Sequence, residues 1–275
     1  KMGKRAYTSF ASIYDDIMGA VPYNLWYDYL HELMDYYKLK KADKVLDLAC
    51  GTGNMSLLFA EKNYQVTGID LSKQMLDVAR KKADKIGQEI EFINSDLRNF
   101  NVKEKFDMAY CLFDSINYIL KKDELIMVFE NVYQALGEAG FFIFDMNTTR
   151  RLMSIQPGTT VINGDSYSCV WEDIIDYKRE LWQVKLKIYL KDSGEYFEEL
   201  HQETGYKIEE VKDLLIDVGF KYIDVYKAYT FSKADDNDNR IYFIAFMDNN
   251  NVRKKPVLVK SVKNVKWGFK RFFSE

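Results

Sequence analysis

The segment Val45-Leu46-Asp47-Leu48-Ala49-Cys50-Gly51-Thr52-Gly53-Asn54, followed by Gly68-Ile69-Asp70, constrains this chain more than any other. An apolar run enters a glycine-rich turn, a helical stretch follows, and a second apolar run ends in an acid. That is the layout of a nucleoside-binding half of a doubly wound α/β sheet. Gly51 and Gly53 let the backbone turn sharply and let a ligand come close, because neither carries a Cβ. The helix that opens near Asn54 aims its free N–H groups at the same crevice. Asp70, at the end of the next strand, is placed to accept hydrogen bonds from both hydroxyls of a ribose.

Two ligands suit this frame. A dinucleotide requires a third glycine for its pyrophosphate, but that position holds Ser56. Asp47 would also set a negative charge beside the pyrophosphate. The same charge favours a ligand with an α-amino group or a sulfonium. S-adenosylmethionine has both and no phosphate.

The runs D-x-A-C-G-T-G-N, G-I-D-L-S-x-x-M-L and N-S-D-L resemble class I S-adenosylmethionine-dependent methyltransferases. Phe10-Ala11-Ser12-Ile13-Tyr14-Asp15-Asp16-Ile17-Met18 resembles the F-A-x-x-Y-D-x-x-M start of the bacterial small-molecule branch. The resemblance covers about residues 7 to 247 and is most specific in the cofactor half. It implies S-adenosylmethionine as cofactor and a Rossmann-like seven-stranded sheet whose last strand is antiparallel. It also implies cofactor contacts from Asp47, Ala49, Gly51, Gly53, Asp70, Leu71, Met75, Asp96, Leu97 and Cys111. Asp96 would accept the adenine amino proton, with Leu97 and Met75 packing on the ring. The Tyr14 hydroxyl would face the methionine end of the cofactor, and Tyr7 and Trp26 are further candidates for that wall. The plainer alternatives are a loop acid for Asp96, a core residue for Met75 and an aromatic core face for Tyr14.

Related N-methyltransferases that act on amino sugars carry a stretch resembling C-M-F-S-S-I-G-H, its last His near the substrate amine. Here Cys111 to Tyr118 places Tyr118 at that His and Asp114 at a Ser. Asp114 can hold an amine, accept its proton, or simply cap a turn. His201 lies where relatives often read H-x-Q-R-x-Y, with Glu203 and Thr204 departing from that pattern. The catalytic candidates are therefore Tyr14, Asp114, Tyr118 and His201. Displacement at a sulfonium has a neutral leaving group, so alignment and water exclusion dominate. A base is needed only if the acceptor arrives protonated.

Strands are predicted at 44–50, 65–70, 90–95, 106–112 and 141–146, alternating with helices at 54–62, 72–85 and 122–136, after an N-terminal helix at 23–38. Such alternation means a parallel sheet with helices on both faces. After Asn147 the pattern changes. Residues 167–175, 181–190 and 195–204 read as strands without intervening helices, with a turn at Asp192-Ser193-Gly194. They suggest an antiparallel β insertion that forms a lid over the carboxyl ends of the main sheet. A helix at 207–218 and strands at 220–226 and 240–247 complete the core, and Lys233 to Arg240 reads as a mobile loop. The organisation expected is N-terminal helices and cofactor core in 1–150, lid in 151–205, remaining core in 206–248 and a tail in 249–275.

The 275 residues, 47% apolar, suffice for one large domain or a domain with an insertion. No apolar run of membrane-spanning length occurs, and the first residues lack an apolar signal core. Three cysteines (50, 111, 169) and two histidines (31, 201) give no metal-ligand spacing, and the thiols suit a reducing compartment, hence the cytoplasm. Residues 251–275 hold eight Lys/Arg and one Glu, with Leu258, Val262, Val265, Phe269 and Phe272 at helical spacing. This basic amphipathic stretch either docks on the acidic body or meets an anionic membrane or nucleic acid. The activity expected is methyl transfer to N or O of a small molecule, by a monomer or homodimer. The alternatives are an RNA methyltransferase guided by the tail and a module that holds the cofactor without turnover.

Overall fold

The computed structural model describes residues 10–39, 42–248 and 252. Tyr7 and the predicted tail helix lie outside the described residues.

The N-terminal part holds a short helix, α1 (Tyr14–Ile17), and a longer one, α2 (Tyr23–Tyr36). Trp26, Tyr29, Leu30, Leu33 and Met34 recur at helical spacing along α2 and are buried. Then come β1 (Lys44–Leu48), α3 (Asn54–Glu61), β2 (Gln65–Asp70), α4 (Lys73–Lys85), β3 (Glu91–Asn94), β4 (Phe106–Cys111), α5 (Lys122–Ala135) and β5 (Leu136–Asn147). Ser72 caps α4 by accepting from the Met75 N–H at 3.2 Å, and Met75, Leu76, Ala79 and Ala83 form its buried face. After β5 follow α6 (Thr149–Met153), β6 (Gly158–Asn163), β7 (Tyr167–Asp176), β8 (Leu181–Leu190), β9 (Tyr196–Thr204), α7 (Ile208–Val218), β10 (Tyr222–Lys227) and β11 (Arg240–Phe246).

The main sheet has seven strands in the order β10-β11-β5-β4-β1-β2-β3, with β11 antiparallel to both neighbours, as the resemblance implied. β1 pairs in parallel with β2 on one side and β4 on the other. The carboxyl ends of these strands therefore meet where the strand order reverses, which is where doubly wound sheets bind ligands. β1 is buried at Val45, Leu46, Asp47 and Leu48, as expected of a strand covered on both faces.

The second sheet is the antiparallel set β6-β7-β8-β9. Its first strand, β6, and the helix α6 were missed in the sequence, where the segment after Asn147 carries no clear periodicity. α6 is set by Thr148, whose side chain accepts from the Arg151 N–H at 3.1 Å. Two other expectations need correction. The strand expected at 141–146 begins earlier, because α5 passes directly into β5 at Leu136, and Leu136 pairs with Phe106. The loop expected to be mobile between Lys233 and Arg240 is instead pinned. Asp236 accepts from the Ile208 N–H at 2.9 Å, the Asp238 carbonyl accepts from Thr148 Oγ1 at 2.7 Å, and Tyr226 bridges to Lys233.

Among the described residues, no helix is long and apolar enough to cross a membrane, and no group of three or more His, Cys, Asp or Glu could hold a metal ion.

Candidate active site

Two adjoining cavities open at the carboxyl ends of the main sheet. The first, about 470 Å³, lies over β1, β2 and β4, beneath α1 and α2. The second, about 340 Å³, lies between the ends of β4 and β5 and the inner face of the second sheet. Phe113 and Tyr118 stand in the wall of both.

The first cavity brings together Asp47, Ala49 and Gly51 from the glycine turn, and Asp70, Leu71 and Met75 from the end of β2 and the start of α4. Asp96 and Leu97 line it after β3, and Tyr14 and Trp26 close it from the N-terminal helices. Gly51 has φ +56°, and a Cβ added there would meet no atom within 4 Å, so the backbone faces open space. Gly53 does not face the cavity. At φ +78°, a Cβ there would stand 3.0 Å from Ala79 Cβ, so its bareness lets the turn pack on α4. Cys111 is not in the wall either. Side chains alternate along β4, so Tyr110 faces the cavity while Cys111 is fully buried on the other side of the sheet.

The carboxylates of this cavity are held differently. Asp70 accepts from the Gly51 N–H and the Ser72 N–H, both at 2.8 Å, which orients it at the mouth of the turn. Burial raises its pKa against these two backbone hydrogen bonds. Asp47 is buried, accepts from Ser56 Oγ, and is pushed up to about 7, chiefly by burial and with the nearby Asp70 charge adding to it. Asp96 accepts from the Arg98 backbone and side chain, each at 2.9 Å, and Arg98 also reaches Glu124 at 2.6 Å. Arg98 is the one basic side chain in this wall among the described residues, and both acids occupy it. The donor set thus suits a ligand with a ribose and a cationic end and without phosphate.

The helix that carries Tyr14 is itself tied to the glycine turn. Asp15, next to Tyr14 on α1, accepts from Thr52 Oγ1 at 2.6 Å, Asn54 Nδ2 at 3.0 Å and Lys82 Nζ at 2.9 Å. Burial alone would raise the Asp15 pKa, but these partners outweigh it and hold the carboxylate below its usual value. Asp15 stands in the N-terminal motif, where nothing in the local sequence marks these partners.

The second cavity contains Asp114, Tyr118 and His201, together with residues that sequence reasoning did not single out. Trp171 and Trp182 both donate their indole N–H to Asp173 Oδ1, at 3.1 and 3.0 Å. Asp114 is not a loose base. It pairs with Arg240 Nη2 at 3.1 Å and accepts from Asn147. Arg240 also pairs with Asp145. Glu203 is 5% exposed, burial holds its pKa well above the usual carboxylate range, and its Oε2 has no hydrogen-bond partner among the described residues. Tyr118 Oη lies 3.1 Å from His201 Nδ1. The strand signal that would have exposed these residues is inverted in β9, where Glu199, His201 and Glu203 point inward and Leu200 is 46% exposed.

Comparison with known proteins agrees with this geometry. Residues 45–140 match a family model described as a methyltransferase domain. A putative methyltransferase of Bacillus subtilis (strain 168), YqeM, is 30% identical over 243 residues, spanning 87% of this chain and 96% of that protein. The crystal structure of an S-adenosylmethionine-dependent methyltransferase from Clostridium acetobutylicum ATCC 824 superposes with a TM-score of 0.75 at 30% identity, covering 86% of this chain and 97% of that one. An amino pentose methyltransferase from Micromonospora echinaspora, solved with its cofactor bound, shares the fold at a TM-score of 0.59 and 18% identity over 89% of this chain and 92% of that one.

Proposed function

The chain belongs to the S-adenosylmethionine-dependent methyltransferases, and from that premise we propose that it methylates a nitrogen or oxygen of a small molecule held in the second cavity. The observation that carries this reading is the junction of the two cavities at Phe113 and Tyr118. A cavity of about 340 Å³ lies within the range of small-molecule sites. One structural neighbour is described as a sugar N-methyltransferase and another as an amino pentose methyltransferase, in keeping with an amine among the acceptors.

In this reading, Asp70 would accept from the ribose hydroxyls and Asp47 would face the α-amino group. Asp96, Leu97 and Met75 would hold the adenine, with Leu71 at the rim. Tyr14 and Trp26 would enclose the methionine end, and Ala49 and Gly51 would let the backbone approach. When bound, S-adenosylmethionine supplies a methyl group on a positively charged sulfur. The chain itself must align the acceptor, exclude water and accept a proton where the acceptor carries one. Trp171 and Trp182 offer flat apolar walls on the acceptor side, fixed by their shared bond to Asp173. The Arg240 pairs fix the floor at Asp114.

Calorimetric titration with S-adenosylmethionine and, separately, with NAD tests the first cavity. Micromolar binding of the first alone is expected, followed by methylation of amine or hydroxyl acceptors detected by mass spectrometry. Binding of NAD alone, or of neither, would overturn the site assignment. Salt-sensitive RNA binding lost on deleting 251–275 would point instead to a polymeric acceptor.

A further inference from the structure

We propose that Tyr118, His201 and Glu199 form a relay that removes the acceptor's proton at the junction of the two cavities. The proposal rests on the function proposed above and adds the base that reading leaves unnamed. Tyr118 is the polar side chain common to both walls, at the junction where, on the function proposed above, an acceptor would meet the methyl group. His201 Nδ1 lies 3.1 Å from that hydroxyl. On the far side of the ring, His201 Nε2 lies 3.3 Å from Glu199 Oε2. Glu199 is in turn fixed by the Phe10 N–H, which donates to its Oε1 at 3.0 Å. His201 and Glu199 are 5% and 1% exposed, so bulk water does not screen the pair.

This is the order of parts that activates weak nucleophiles elsewhere: an exchanging group, a base within hydrogen-bond reach, and a third group that orients the base. A carboxylate at Nε2 favours the tautomer with its proton on Nε2. That leaves Nδ1 bare to accept from the Tyr118 hydroxyl. The acceptor's proton then passes to Tyr118 Oη while the Tyr118 proton passes to His201 Nδ1. The acceptor gains a free lone pair, Tyr118 is neutral before and after, and the positive charge ends on an imidazolium beside Glu199. Departure of the product opens the cavity, and the proton leaves to water.

β9 supports this reading independently. Its period of two turns Glu199, His201 and Glu203 inward and leaves Leu200 outside, although burying ionisable side chains is costly without a compensating use. The other charged groups lining the second cavity with His201 are Asp114, Arg151, Asp173, Glu203 and Arg240.

Nitrogen-15 NMR of the whole protein reads the arrangement without acceptor or cofactor. The chain has two histidines, so a His31→Gln variant assigns His201. Neutral His201 is expected with Nε2 protonated and Nδ1 bare, and Glu199→Gln is expected to weaken that tautomer preference. An Nδ1-protonated ring in the unmodified protein, or an unchanged tautomer preference in Glu199→Gln, would overturn the relay. With an amine acceptor, Tyr118→Phe should lower kcat by about 10²–10⁴-fold, the usual range for a general base, with KM little changed. Glu199→Gln should lower kcat as well, and a kcat equal to that of the unmodified protein would also overturn it. Failure of the proposed function would appear separately, as absent cofactor binding in the calorimeter.

Discussion

At the scale of single residues, the site is built where the backbone is least comfortable. Ala49, Phe113 and Asp114 have φ of 56°, 62° and 50°, in the left-handed region that costs a residue with a Cβ about 1–3 kcal/mol. All three follow the carboxyl ends of β1 and β4, and Phe113 forms part of the partition between the cavities. Asp47 shows the same tension electrostatically. Its pKa is raised above the unfolded value, so its contribution to stability is complete below about pH 4 and is lost as pH rises through about 7. Asp47→Asn should therefore stabilise the ligand-free protein at pH 8, read by thermal denaturation. It should also weaken S-adenosylmethionine binding by about 1.5–3 kcal/mol, as expected for a lost charged hydrogen bond. In the unmodified protein, cofactor affinity should fall between pH 8 and pH 6 as Asp47 takes up a proton. Asp70→Ala should weaken cofactor binding by about 1–3 kcal/mol. Unchanged calorimetric affinity would remove the ribose from that carboxylate.

At the scale of elements, α1 ties the two halves of the site together. Asp15 binds Thr52, Asn54 and Lys82 of the cofactor core, while the adjacent Asp16 accepts from Tyr167 Oη of β7 at 2.7 Å. Neighbouring acids on one short helix thus hold both the glycine turn and the second sheet. Asp15→Ala should loosen that helix and weaken cofactor binding by about 1 kcal/mol, since the ion pair is partly exposed. The unfolding midpoint should change little, because α1 spans only four residues. A large loss of global stability would mean that α1 belongs to the folding core. The sequence revealed α1 as a motif, but the three partners of Asp15 come from 37, 39 and 67 residues away and could not be read locally.

Across the whole molecule, Arg240 joins the last strand to the site. Its guanidinium is buried and pairs with Asp114 and Asp145. Burial works against its charge, and the two acids outweigh it. Removing one partner from such a cluster leaves buried charge without compensation, at a cost of about 3–5 kcal/mol. Arg240→Met should lower stability by that amount in urea denaturation at pH 8. Asp145 already sits at about 6, mainly through burial, so its contribution is lost as pH rises through that value. Without Arg240 the loss deepens, and the deficit of the variant should be smaller at pH 5 than at pH 8. An equal deficit at both pH values would contradict a charged network.

The sequence by itself determined the cofactor half. A glycine turn, its flanking strands and the acid after β2 lie within 26 residues, Val45 to Asp70, and local rules of backbone freedom and strand period read them directly. The same rules located β7, β8 and β9. They could not say which face of β9 turns inward, because the polar side is buried there and the usual hydrophobic alternation inverts. Tertiary structure alone decided that Tyr118 meets His201 across 83 residues and that Arg240 reaches Asp114 and Asp145. The second cavity is assembled from the loop after β4, the end of β5, the second sheet and β11. Each of its polar side chains is commonplace in its own segment and acquires a task only when burial removes water and leaves the others as its partners.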